Sequence, residues 1–289
     1  MNLNLTGMTV RWADLPFNAI DGSRVWVESS LEHGRLVVYW TPKPFDTNRY
    51  PTGWNVYRAI SPDMAVGSPQ VEKLTSSPVA IPMFIDSSVD TRVAAHWYYL
   101  VTEVFSNGEE LRLDKPVTLN QWFGGEDRET LSPVRIYREF KRRKHIVLDR
   151  TAERVDFLVR RRAGTRCSCY QTDYESILDS KCKQCYGTGW VRGYELLRSV
   201  KCRILSITEV LKLQPKGLVF DSKPKAWLVD FPIARNGDVI VRRNGERYEI
   251  DQVDPVIHQG VLTEQNFSLV SLPEMHPIYL YLISTSDAA

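Results

Sequence analysis

Four of the five cysteines in this 289-residue chain fall within nineteen residues. They form Cys167-Ser168-Cys169, then a twelve-residue gap, then Cys182-Lys183-Gln184-Cys185 followed by Tyr186-Gly187-Thr188-Gly189. Two thiolates a few positions apart can bind one metal ion, and a second pair close by completes a tetrahedron. The spacing therefore predicts a structural Zn²⁺ held by Cys167, Cys169, Cys182 and Cys185. The Gly-Thr-Gly behind the last cysteine suits a knuckle whose backbone N–H groups turn toward sulfur and whose φ is positive. A saturated four-sulfur site has no open position for chemistry. It folds a loop too small for its own core.

The rest of the composition is that of an ordinary soluble protein: 43% hydrophobic, 25% charged, 11% aromatic, net charge +2. This balance makes no global case for nucleic acid or membrane binding. Residues Met1-Asn2-Leu3-Asn4-Leu5-Thr6-Gly7 lack a signal-peptide pattern, and no run of eighteen apolar residues occurs. Folding in a reducing cytoplasm is expected, which favours metal-bound thiolates over disulfides. Cys202, on the alternating stretch Val200-Lys201-Cys202-Arg203-Ile204-Leu205, reads as a buried core cysteine.

The predicted fold is mainly β: an arm over residues 1–24, a sandwich over 25–119, a linker and basic segment with a short helix over 120–162, a zinc loop over 163–194 and a small C-terminal barrel over 195–289. In the sandwich region, Arg35–Trp40, Trp54–Arg58, Met83–Asp86 and Trp97–Val104 are short runs of β-branched and aromatic residues, separated by Pro- and Gly-rich turns. Trp40, Trp54 with Val56, and Tyr99-Leu100-Val101-Thr102-Glu103-Val104 before Gly108 resemble the strand signatures of fibronectin type III domains, as does Phe84-Ile85-Asp86. The resemblance implies an antiparallel sandwich that binds, spaces or decorates. Most of its aromatics are expected in the core, with a glycan-binding role as an alternative.

Between Arg135 and Arg166 twelve Lys and Arg stand against four acids, so the remainder of the chain is net acidic by six. This asymmetry predicts a partner surface that includes Arg138, Lys141, Arg142, Arg143, Lys144, Arg160, Arg161 and Arg162. An acidic neighbouring subunit is favoured over phosphate contacts with nucleic acid, and base-specific recognition is not expected. Asp149–Arg160 reads as a short helix with Val155, Leu158 and Val159 on its apolar stripe.

Further on, Asp238-Val239-Ile240-Val241 and Arg247–Val253 flank Asn244-Gly245, a hairpin signal. Gly260-Val261-Leu262, Phe267–Val270 and Ile278–Leu282 read as the remaining strands. The stretch Asn236-Gly237-Asp238-Val239-Ile240 with Gly245-Glu246-Arg247-Tyr248-Glu249-Ile250 resembles the small barrel of phage head-completion and head–tail joining proteins. The cysteine loop resembles those of structural proteins in tailed bacteriophages. One Cys-x-x-Cys-x-Gly-x-Gly copy also matches the zinc region of DnaJ-type co-chaperones, which carries four such units and accompanies a J-domain absent here.

These likenesses imply a virion protein of the neck or tail, assembled in the bacterial host cytoplasm. Its neighbours would be connector, tail-terminator, sheath or baseplate subunits, and the barrel would build a homo-oligomeric ring. A baseplate or tail-peripheral subunit is the alternative. The five histidines are scattered, and no Gly-x-Ser-x-Gly, Walker or dinucleotide motif is present. An enzyme is not expected.

Overall fold

A computed structural model describes residues 25–30, 35–42, 50–89, 97–118, 128–171, 176–205, 210–214, 217–221, 223–258 and 261–283. The expected N-terminal arm and the Gly124-Gly125 linker lie outside these residues. The chain is mainly β and divides into two compact units that part between Trp122 and Phe123.

The first unit contains β1 (Val25–Ser30), β2 (Arg35–Trp40), β3 (Gly53–Ala59), β4 (Glu72–Lys73), β5 (Met83–Asp86), β6 (Tyr98–Val104), β7 (Glu110–Arg112) and β8 (Val117–Thr118). They form two sheets, β1-β2-β5 and β4-β3-β6-β7, with β8 also paired to β6. The registers Val37↔Ile85 and Val56↔Val101 set the apolar faces of both. Trp40 of one sheet and Trp54 of the other are fully buried and meet edge to face, with ring centroids 5.8 Å apart. Truncating either aromatic would cost about 3–5 kcal/mol. The aromatics singled out by the sequence, Tyr39, Trp40, Trp54 and Tyr99, all lie in this core. The Phe-x-Asp element has a physical purpose: buried Asp86 on β5 accepts from Arg58 Nη1 of β3 and from the Tyr99 hydroxyl of β6, each at 2.8 Å. One carboxylate thereby ties the two sheets together.

The second unit opens with α1 (Arg128–Thr151). The expected helix over Asp149–Arg160 is instead a strand, β9 (Glu153–Arg160), with helix α1 lying before it. There follow β10 (Tyr170–Gln171), β11 (Ser176–Ile177), β12 (Tyr194–Leu205), β13 (Val210–Gln214), β14 (Gly217–Asp221), β15 (Lys225–Leu228), β16 (Val239–Val241), β17 (Arg247–His258) and β18 (Val261–Ser271). Six of these close an antiparallel barrel in the order β12-β15-β18-β17-β16-β9. β9 closes it, pairing with β12 on one side (Leu158↔Leu196) and β16 on the other (Phe157↔Ile240). The barrel therefore begins at Glu153, inside the segment expected to be linker.

The β16–β17 hairpin turns at Asn244-Gly245 as the sequence predicts, with Gly245 at φ 88°. The Gly-Asp before β16 is structural: buried Asp238 accepts the backbone N–H groups of Arg160 at 2.9 Å and Arg235 at 2.8 Å. Residues 261–271 form one strand where two were expected. The final strand expected over Ile278–Leu282 is a 3₁₀ turn, Pro277–Leu280. Pro277 brings a fixed φ and no N–H, and His276 Nδ1 caps the turn by accepting from Ile278 N at 3.3 Å. The turn seats Ile278 in a cluster with Leu158, Val239 and Leu272.

Helix α1 is held to the barrel by a buried polar cluster. Lys141 (6% exposed) and His145 (7%) converge on Asp230 (3%), at 3.2 Å and 2.8 Å. Leu148, one turn further, is buried beside them on the same face.

Candidate metal centre

The cysteine loop is the connection between two adjacent barrel strands. β9 ends and β12 begins with the Arg160↔Tyr194 pair, and Arg161 N donates to Gly193 O at 2.9 Å. Residues 161–193 leave and re-enter the barrel through this closed neck.

Within the loop, β10 and β11 form a short hairpin, and Arg166 bridges to Trp190. The Arg166 guanidinium lies 3.7 Å from the Trp190 ring centre and 4.0 Å from that of Tyr170. This cation between two rings supplies packing that the loop could not obtain from aliphatic residues. Cys167 N donates to Gly189 O at 3.0 Å and Leu178 N to Cys169 O at 2.9 Å, joining the two cysteine pairs through the backbone.

The second pair forms the knuckle foreseen from Gly-Thr-Gly. Tyr186, Gly187 and Gly189 have φ of 54°, 80° and 78°. The backbone N–H groups of Gly187 and Gly189 act to lower the Cys185 thiol, and those of Gln184 and Cys185 to lower the Cys182 thiol. Buried Thr188 locks the turn by donating its hydroxyl to Cys185 O at 2.7 Å. Gly193 is required by close approach: a Cβ there would stand 2.5 Å from the Cys185 carbonyl oxygen.

These elements bring the four sulfurs within 4.8 Å of one another. Cys167 Sγ is 3.6 Å from Cys182 Sγ, and Cys169 Sγ is 3.4 Å from Cys185 Sγ. All four are free thiols. A tetrahedron with metal–sulfur bonds of about 2.3 Å has edges of about 3.8 Å, so the sulfur spacing fits a bound ion. The electrostatics agree. The N–H groups of Gln184 and Cys185 lower the Cys182 thiol to about 7. Burial pushes Cys169 up, as do its hydrogen bonds to the neighbouring sulfurs, and burial also raises Cys185. Four thiolates cannot share this space without a cation, and a divalent ion would offset half of their charge while bonding to each sulfur. Cys202, buried on β12, is not among the clustered sulfurs and is raised by burial.

Most of the basic residues selected from the sequence have partners within the fold. Lys141 is turned inward onto Asp230. Arg142 and Arg143 both bind Glu139, at 2.7 Å and 3.0 Å. Lys144 pairs with Glu264 of β18 at 2.6 Å and lies over the Trp227 ring. Arg161 pairs with Glu195, and Arg162 donates to Asn236 O at 3.2 Å. Arg160 gives its backbone N–H to Asp238, and Arg138 lies on α1. Sequence reasoning gave no packing role to Arg166 or Thr188 and did not foresee the Lys141–Asp230–His145 cluster. Only the Arg and Trp flanking the cysteines hinted at the first, and no local signal marks the last.

No family model matches the chain, and neither does any curated protein. Among solved structures it is similar to the pectate lyase PelI from Erwinia chrysanthemi in complex with tetragalacturonic acid. The likeness has 15% identity and a TM-score of 0.25, covers 34% of this chain and 29% of that one, and carries no argument. Among the described residues no helix is long and apolar enough to cross a membrane. The chain is a two-unit, mainly β protein whose second unit carries a four-cysteine site with the geometry to bind a metal ion.

Proposed function

We propose that this chain is a structural component of a tailed-bacteriophage particle, a neck or head–tail connector that assembles as a ring through its C-terminal barrel. The supporting observation is the barrel itself. The Asn236–Ile250 stretch that resembles head-completion proteins supplies two adjacent strands, β16 and β17, of a closed six-stranded wall. The ion is Zn²⁺, for which four thiolates in a closed tetrahedral set are the preferred structural ligands. It acts as a clamp: binding fixes residues 161–193 in one shape and lowers the ordering cost of presenting them to a neighbour. The N-terminal unit is a fibronectin type III-like module, a reading supported by its three-stranded and five-stranded sheets and the Trp40–Trp54 contact between them. It spaces or decorates the particle.

The test is elemental analysis and light scattering on the full chain purified without added metal. One zinc per chain in a ring, or in a monomer that joins purified heads to tails, is the expected result. A zinc-free monomer that joins nothing would overturn the reading. Incorporation at the baseplate instead would move the protein along the particle.

A further inference from the structure

A cavity of about 550 Å³ opens beside the knuckle, where the cysteine loop meets the barrel end and the C-terminal turn. Its wall carries Arg161, Lys183 and Arg192 with the single acid Glu195, and the rings of Tyr186 and Tyr281. Arg161 and Glu195 neutralise each other. Among the described residues, neither Lys183 nor the Arg192 guanidinium has a hydrogen-bond or ion-pair partner, so both cationic heads are open to a ligand in the cavity. The two tyrosines meet edge to face, 5.4 Å between centroids, and give the cavity an apolar side.

Arg192 is exposed and has φ 68°, a left-handed backbone that costs a non-glycine residue about 1–2 kcal/mol. Tyr186 has the same conformation, but its ring packs against Tyr281 and contributes to the fold. The Arg192 side chain makes no contact of that kind. The chemistry of an anion site explains a strained arginine here. A phosphate site would draw on free backbone N–H groups. Those of the knuckle are committed: Tyr186 to Cys182 O, Thr188 to Cys185 O, Arg192 to Gln184 O and Gly193 to Trp190 O, while those of Gly187 and Gly189 act on the Cys185 thiol. Only side chains remain to bind an anion, and an arginine fork with a nearby lysine matches carboxylate.

We propose that this cavity binds an acidic, aromatic-containing peptide segment of a partner protein. Arg192 and Lys183 hold its carboxylates, and the Tyr186–Tyr281 pair packs against its ring. This assignment stands whether or not the protein belongs to a virion.

The test titrates the metal-loaded full chain with the peptide acetyl-Asp-Phe-Glu-Asp-amide, with inorganic phosphate as the competing anion. Saturable peptide binding that weakens with salt and falls at least tenfold in Arg192→Gly is expected. Glycine removes the backbone strain, so this variant should melt with the wild type and keep its metal. If it does not, Lys183→Glu decides the matter with the same expected loss. No saturable peptide binding, equal binding by wild type and variant, or displacement by equimolar phosphate would each overturn the proposal.

Discussion

Replacing Asp230 by Asn tests how α1 is held to the barrel. Asp230 lies almost wholly out of water between Lys141 Nζ and His145 Nε2. Burial alone would raise its pKa, but the charge of Lys141 and the hydrogen bond from His145 outweigh burial and hold it at about 2, against an ordinary 3.8. A depression of this size corresponds to stabilisation on the order of 2–3 kcal/mol. Because the folded value is the lower, this contribution is complete above about pH 4 and is lost as pH falls through about 2. Substitution goes further than protonation, since it leaves the buried Lys141 ammonium without a counter-charge, and breaking such a pair costs about 3–5 kcal/mol. For a unit of this size each kcal/mol lowers the midpoint by about 2–4 °C. Calorimetry of the full chain at pH 7 should therefore show the second unit melting at least 6 °C lower in Asp230→Asn, with the first unit unchanged. The double variant Lys141→Met/Asp230→Asn removes the stranded charge and should recover half or more of that loss. A single variant that melts within 2 °C of wild type, or a double variant whose loss equals the sum of the singles, would refute the reasoning.

Chelation should raise hydrogen exchange across residues 161–193 and leave β1–β8 protected; unchanged exchange in metal-free protein would show that the loop does not need the ion. Gly193→Ala brings a Cβ against the Cys185 carbonyl at 2.5 Å and should weaken metal retention in a chelator competition far more than Gly187→Ala. The latter meets Ser180 O at 3.3 Å and bears mainly the left-handed backbone cost of about 1 kcal/mol. Asp86→Asn strips a charged acceptor from Arg58 and Tyr99 and should destabilise the first unit by about 2–4 kcal/mol in denaturant unfolding. An effect below 1 kcal/mol would mean that the Trp40–Trp54 core alone joins the sheets.

The metal loop was legible in the chain because its determinants are local. Cysteine spacing and the glycines at 187 and 189 dictate a knuckle by short-range geometry, and the Asn244-Gly245 turn dictates its hairpin in the same way. The aromatic and β-branched runs of the first unit announced strands for a similar reason, since alternation along a strand reflects a face in the core. Glu153–Arg160 shows where local pattern fails. Val155, Leu158 and Val159 fit a helical stripe, yet Val155, Phe157 and Val159 fit an alternating strand equally well. Only the edges offered by β12 and β16 decide between them, and those lie far away in sequence. Helix α1 was obscured for the opposite reason. Among its described side chains the buried face runs Lys141, His145, Leu148, and the first two of these look like surface residues until Asp230 arrives from the barrel. Within the charge run, Glu139 meets Arg142 and Arg143 as a neighbour on the same helix, whereas Asp230, Glu264 and Glu195 reach Lys141, Lys144 and Arg161 only through the fold. Residue type and spacing thus determined the four-cysteine loop and the β character, which depend on neighbours along the chain. The closure of the barrel, the docking of α1 and the cavity beside Arg192 depend on neighbours across it, and only the tertiary structure could supply them.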